Sequence, residues 1–146
     1  MGEGLVTPLA ITEFKGDYGF LSNFYPAEVW LDGRDYPSVE HAFQAAKTLD
    51  LNIRTDIKSL TAGSAKRAGR TVRLRPDWED IKLPIMENLV RQKFQSHAKL
   101  GRSLLDTHDR ALVEGNWWGD TFWGVHKGKG ENHLGKILMK VRDELK

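Results

Sequence analysis

The sequence predicts an α+β fold, a single compact, mainly α-helical domain with a few short strands, spanning residues 1–146. Three observations predict it. Apolar residues recur at helical spacing in several separate segments, strand-like stretches are short and few, and no repeat, low-complexity tract or long linker divides the chain. With 40% hydrophobic residues, five Trp and six Phe, a core needs no staples. A chain of this size buries roughly 68–70% of its unfolded surface.

In chain order, residues 10–14 are a strand. Residues 16–26 follow as a loop with four aromatics and two glycines, too apolar for an ordinary surface loop, so it lines either the core or a pocket. Residues 28–31 and 34–36 flank Asp32-Gly33, the dipeptide that suits a type I′ hairpin turn. Ser38 is the N-cap of a helix to about Leu49, with Val39, Ala42, Phe43 and Ala46 as its apolar stripe. Glu40, Gln44 and Lys47 share another face of that helix, and their spacing alone describes a solvated polar face. Two short helices are expected at 53–60 and 64–70, the second starting after Gly63 and carrying Lys66, Arg67 and Arg70. Pro76-Asp77-Trp78 suits a helix start, and Pro84 is expected to break or kink that helix near Leu83, leaving the longer piece at 84–96. Leu100, Leu104 and Leu105 indicate another helix, and residues 111–114 a short strand. Leu134, Ile137, Leu138, Val141 and Leu145 repeat on one face of the last helix, with Asn132 as its cap candidate.

Composition narrows the chemistry. Without cysteine there is no disulfide, thiolate nucleophile or Cys-ligated metal, and a reducing compartment fits. His41, His97, His108, His126 and His133 show no metal-ligand spacing, so no metal site is expected. Twenty-two basic against 20 acidic residues give +2, too little to imply nucleic acid from net charge. Residues 1–6 lack the features of a signal peptide and no apolar run approaches a membrane span, which together read as a cytoplasmic protein without membrane contact.

Two segments carry candidate chemistry. Residues 114–124 set Glu114 and Asp120 among three Trp and three Gly; each Trp serves either core packing or a site, and Asp120 must be exposed, paired or shifted in pKa. Residues 124–132 form a glycine-rich loop before the last helix, which is either a phosphate cradle or a solvated connector.

Six motifs, in order, resemble the NADAR (YbiA-like) family. They are Tyr-Gly-Phe-Leu-Ser-Asn-Phe-Tyr at 18–25, Tyr-Pro-Ser-Val-Glu-His-Ala-Phe-Gln-Ala-Ala-Lys at 36–47, Ala-Lys-Arg-Ala-Gly-Arg at 65–70, Leu-Arg-Pro-Asp-Trp at 74–78, Trp-Gly-Asp at 118–120 and Asn-His-Leu-Gly at 132–135. The resemblance covers roughly residues 12–144; Pro84 and the His126-Lys127 pair depart from it. It implies the YbiA-like/NADAR fold, no cofactor, and hydrolysis of the N-glycosidic bond of a ribosylated, phosphorylated base of the 5-amino-6-ribosylaminouracil phosphate type. The alternatives, ranked after it, are removal of ADP-ribose from modified guanine in nucleic acid and a non-catalytic module that binds NAD or ADP-ribose. Oligomeric state is left open.

Cleaving a C1′–N bond develops positive charge on the ribose, which calls for one carboxylate beside C1′ and an acid for the departing base. Carried onto this sequence, Glu40 becomes the principal catalytic carboxylate and Asp120 its partner. Trp78 would stack on the base or ribose, and Lys66 and Arg70 would hold phosphate. The resemblance adds Asn23, Phe24, Trp118, Gly119 and Asn132 as substrate-binding residues.

Overall fold

The computed structural model describes residues 9–146. The leader reading of residues 1–6 lies outside the described residues. Among the described residues the chain forms six α-helices, one of them central, and two two-stranded sheets. A 3₁₀ helix at Gly16–Leu21 precedes strands β1 (Val29–Leu31) and β2 (Arg34–Tyr36). Helices α1 (Val39–Ala46), α2 (Leu51–Lys58), α3 (Ala62–Gly69), α4 (Trp78–Ser96) and α5 (Ala98–Leu105) come next. Strands β3 (Gly115–Asn116) and β4 (Val125–His126) and helix α6 (His133–Leu145) complete the chain. Among the described residues no helix is long and apolar enough to cross a membrane.

The hairpin forms where the Asp-Gly pair predicts it. Asp32 and Gly33 take positive φ of 50° and 79°, and β1 pairs antiparallel with β2 through Val29–Tyr36 and Leu31–Arg34. The expected strand at 10–14 contracts to a single parallel bridge between Ile11 and Leu112, and the expected 111–114 strand to its partner. The ladder of that region lies further on, where β3 and β4 pair in parallel. The aromatic segment is no open loop: its first half is the 3₁₀ helix, with Leu21 fully buried.

Helix α1 is the centre of the molecule. Ser38 caps it by accepting the His41 N–H, and His41 Nε2 donates to the Leu60 carbonyl at 2.7 Å. All eight of its residues are buried, because α2, α3, α4 and the hairpin pack around it. The polar face of Glu40 and Gln44 is therefore not solvated, contrary to what spacing alone describes. The helix stops at Ala46, short of Leu49, where Asp50 caps α2 by accepting the N–H groups of Asn52 and Ile53. Helix α3 starts before Gly63, since Thr61 caps it by accepting the Ser64 N–H.

Pro84 does not break α4, which runs unbroken from Trp78 to Ser96. Pro84 and Asp80, whose carbonyl loses its donor, are both exposed residues on the solvent side of the helix. Trp78, Met86, Leu89, Val90 and Phe94 bury the other side. Asn132 occupies the N-cap position of α6 but makes no side-chain capping hydrogen bond. It sits in the left-handed region at φ 54° and its side chain is used elsewhere, while Leu134, Ile137, Leu138 and Val141 pack as the stripe predicts.

Candidate active site

A cleft of about 830 Å³ opens between α1, α3 and the segment 114–123. Its floor is apolar, formed by Phe43, Met86 and Leu134, and its walls carry four carboxylates, several cations and five aromatic rings. A shallower depression of about 360 Å³ on α5 gathers Lys99, Arg102 and Asp106 without an aromatic wall. The large cleft is where the sequence-predicted residues converge: Glu40, Asp120, Asn23, Phe24, Lys66, Arg70 and Trp118 all line it.

Glu40 is the deepest acid, only 7% exposed. Gln44 Nε2 donates to its Oε2 at 2.6 Å from one helical turn along, and the Glu40 N–H donates to the Asn23 carbonyl at 3.0 Å. Burial raises the Glu40 pKa above the ordinary range, opposed by the Gln44 hydrogen bond and by the charges of Lys66 and Lys47. Gly69 makes room for this arrangement, since a Cβ there would overlap the Gln44 amide. Lys47 also lines the cleft, its pKa lowered by burial and raised again by Glu40.

The second acid is one that the sequence reading did not single out. Glu114 lines the same cleft, and burial pushes its pKa up to about 7, with the charge of Asp120 adding to the rise. Asn116 Nδ2 opposes the shift by donating to Glu114 Oε2 at 3.0 Å. Gly124 lies against it so closely that a Cβ would overlap the carboxylate. The signal was present in sequence, since Glu114 heads the Trp- and Gly-rich segment that holds Asp120, but its burial is a tertiary fact.

Asp120 is committed to its own turn. Its Oδ1 accepts the N–H groups of Phe122 and Trp123 at 3.0 and 2.9 Å, leaving Oδ2 for the cleft. At the mouth, Lys66 Nζ stands 4.3 Å from the centre of the Trp118 ring and 5.8 Å from that of Phe24. Trp117 meets Trp118 edge-on and is 83% exposed.

The NADAR domain family matches residues 12–146. The chain belongs to the NADAR family. It is 41% identical over 136 residues to N-glycosidase YbiA of Escherichia coli, covering 88% of this chain and 82% of that protein. It is 41% identical over 144 residues to riboflavin biosynthesis protein VVA0006 of Vibrio vulnificus, covering 94% of this chain. The chain spans only 38% of the length of that Vibrio protein. The NMR structure of the E. coli protein YbiA superposes with a TM-score of 0.83 at 38% identity, over 96% of this chain and 86% of that one.

Three expected binding residues of this NADAR domain do not line the cleft, and two of them stand behind it. Trp78 is 5% exposed and packs its ring 5.1 Å from Phe43, so it backs the floor and has no open face for a base. Asn132 Oδ1 accepts the Glu114 N–H at 3.0 Å and its Nδ2 donates to the Leu112 carbonyl, so it fixes the strip that carries Glu114. Gly119 adopts φ +87° to turn the chain between Trp118 and Asp120 and is not a lining residue. The 124–132 loop is no phosphate cradle either. It folds back on itself through His126 and Lys129, and the N–H groups of Glu131, Asn132, His133 and Leu134 are taken by the carbonyls of Thr121, Gly124, Phe122 and Trp123.

Proposed function

We propose that this NADAR domain is an N-glycosidase that hydrolyses the N-glycosidic bond of a ribosylated, phosphorylated base of the 5-amino-6-ribosylaminouracil phosphate type. One observation carries the reading: two carboxylates with different surroundings, the buried Glu40 and the half-buried Glu114, line one cleft with Lys47, Lys66 and Arg70. The names of the relatives, an N-glycosidase and a riboflavin biosynthesis protein, support the same bond type and substrate class.

The chemistry follows from those surroundings. In this reading Glu40 reacts as the carboxylate: burial raises its pKa, the Gln44 hydrogen bond and the ammonium groups of Lys66 and Lys47 oppose that rise, and the ion stabilises the cationic ribose and orients the attacking water at C1′. Water oxygen bonds to C1′ and passes a proton to the Glu40 carboxylate as the C1′–N bond breaks, its electron pair leaving on nitrogen. Glu114, holding its proton near neutrality, gives it to that nitrogen. Asp120 Oδ2 positions the ribose hydroxyls, Phe24 and Trp118 bracket the heterocycle, and Asn23 completes that wall. Lys66 and Arg70 take the phosphate.

The test incubates the protein and Glu40→Gln with ribosylamino-pyrimidine phosphate, NAD, ADP-ribose and ADP-ribosylated guanine in DNA, read by mass spectrometry. Free base and ribose phosphate from the first compound, absent with Glu40→Gln, is the expected result. An unchanged substrate, or a fully active Glu40→Gln, overturns it. Release of ADP-ribose from the DNA would instead favour the larger substrate, for which the cation row continuing to Arg67 and the exposed Trp117 offer a second phosphate and a second flat surface.

A further inference from the structure

Lys93 is the one buried residue of α4 whose chemistry does not fit its place. Met86, Leu89, Val90 and Phe94 surround it on the same helix, and it is itself 1% exposed. Among the described residues its ammonium meets one hydrogen-bond acceptor, the Ser22 carbonyl at 2.8 Å, and the rings of Phe94 and Tyr25 at 5.1 and 5.6 Å. The Ser22 carbonyl already accepts the Tyr25 N–H at 3.1 Å, so it has no need of a second donor. A methionine would fill much of the same space without desolvating a charge, and burial alone brings the Lys93 pKa down to about 7. As a stabilising device it is therefore a poor one.

Its geometry points toward the cleft. Ser22, Asn23 and Phe24 form one strip of the cleft wall, and Lys93 pins the first of them from behind, 71 positions away in sequence. The next carbonyl in that strip, Asn23, receives the N–H of Glu40 at 3.0 Å. That N–H lies in the first turn of α1 and has no partner within the helix. Asn23 Nδ2 also reaches Met86 Sδ at 3.5 Å, so the strip is held from α4 at two points.

We propose that Lys93 is a positioning residue, whose ammonium fixes the Ser22–Asn23–Phe24 strip and through the Asn23 carbonyl sets the first turn of α1 that presents Glu40. The proposal rests on reading the cleft as a glycosidase site for its kinetic consequence, but not for its structural one.

The experiment has two readouts on Lys93→Met, with Lys93→Gln as the second variant because its shorter side chain still carries an N–H donor. Amide hydrogen exchange is the first, and it needs no substrate. The Glu40 N–H should exchange about tenfold faster in Lys93→Met, while Leu89 and Val90 in α4 keep wild-type rates. Turnover of the ribosylamino-pyrimidine phosphate is the second: kcat should fall about tenfold or more with KM within about twofold, while the melting temperature holds or rises. Lys93→Gln should recover part of both losses. Unchanged Glu40 exchange in Lys93→Met overturns the proposal, as does a drop in its kcat no larger than the loss of folded protein explains. If Lys93→Met does not fold, the same two criteria applied to Lys93→Gln decide. An active Glu40→Gln would strike the functional reading alone, leaving the exchange result to judge Lys93.

Discussion

The two walls of the cleft present their acids by different means. Glu40 sits on a helix that is buried on every side, and packing of α2, α3 and α4 fixes it before any side-chain contact is counted. Glu114 sits on an irregular strip, and its place depends on two amides, Asn116 on its carboxylate and Asn132 on its N–H, with Gly124 giving it room. A helix in a core positions a charged group with its backbone already satisfied. A loop must spend side chains to do the same. The helical wall should therefore tolerate loss of one polar contact, whereas the loop wall should not.

The largest effect expected is on Glu40 itself. Glu40→Gln should lower kcat by about 10³-fold with the melting temperature held, since a buried acid is replaced by an amide of the same shape. A loss of folding in circular dichroism would show instead that the helical wall depends on that carboxylate.

Glu114→Gln should lower kcat by about 10²-fold and also change its pH dependence. Wild-type turnover should decline as pH rises through about 7, where Glu114 gives up its proton, and the variant should lose that limb. Stability carries the same sign. A carboxyl raised from 4.5 to about 7 in the folded state favours folding fully below 4.5, and that contribution is lost as pH rises to about 7. Melting temperatures of the variant across that window should accordingly slope less than those of the wild type.

Asn132→Ala removes two hydrogen bonds behind the loop wall and should cost about 1–3 kcal/mol of stability. If the loop wall is the fragile one, kcat in the folded fraction falls too, and the alkaline limb moves toward the ordinary Glu range as Glu114 becomes more solvated. An unmoved limb in the pH–rate profile would mean that Glu114 is held by packing alone.

Kinetically the smallest effect belongs to Trp78→Ala. It should cost about 3–5 kcal/mol in denaturant unfolding, as large core truncations do, yet leave KM within about twofold for the protein that remains folded. A several-fold rise in KM would restore Trp78 to the substrate.

What the sequence made legible was local. The Asp32-Gly33 hairpin, the Ser38 cap, the stripe of α6 and six ordered motifs need only neighbours in the chain, and each is found at or within a few residues of its expected position. The misreadings share one cause. Glu40, Gln44 and Lys47 look solvated by spacing because no periodicity reveals that a second helix covers the polar face. Trp78 and Asn132 match family motifs, yet the structure uses them one layer behind the cleft. Glu114 ended an expected strand, and only its burial marks it as an acid.

By itself, then, the sequence determined the family, the helical architecture and the short list of residues from which a site could be built, because motifs and periodicity are properties of the chain order. Tertiary structure alone decided which of those residues face the cleft, that Glu114 joins Glu40 across 74 positions, and that Lys93 lies buried behind the wall. Burial and the electric field of distant neighbours set protonation and orientation, and neither quantity exists until the helices have packed.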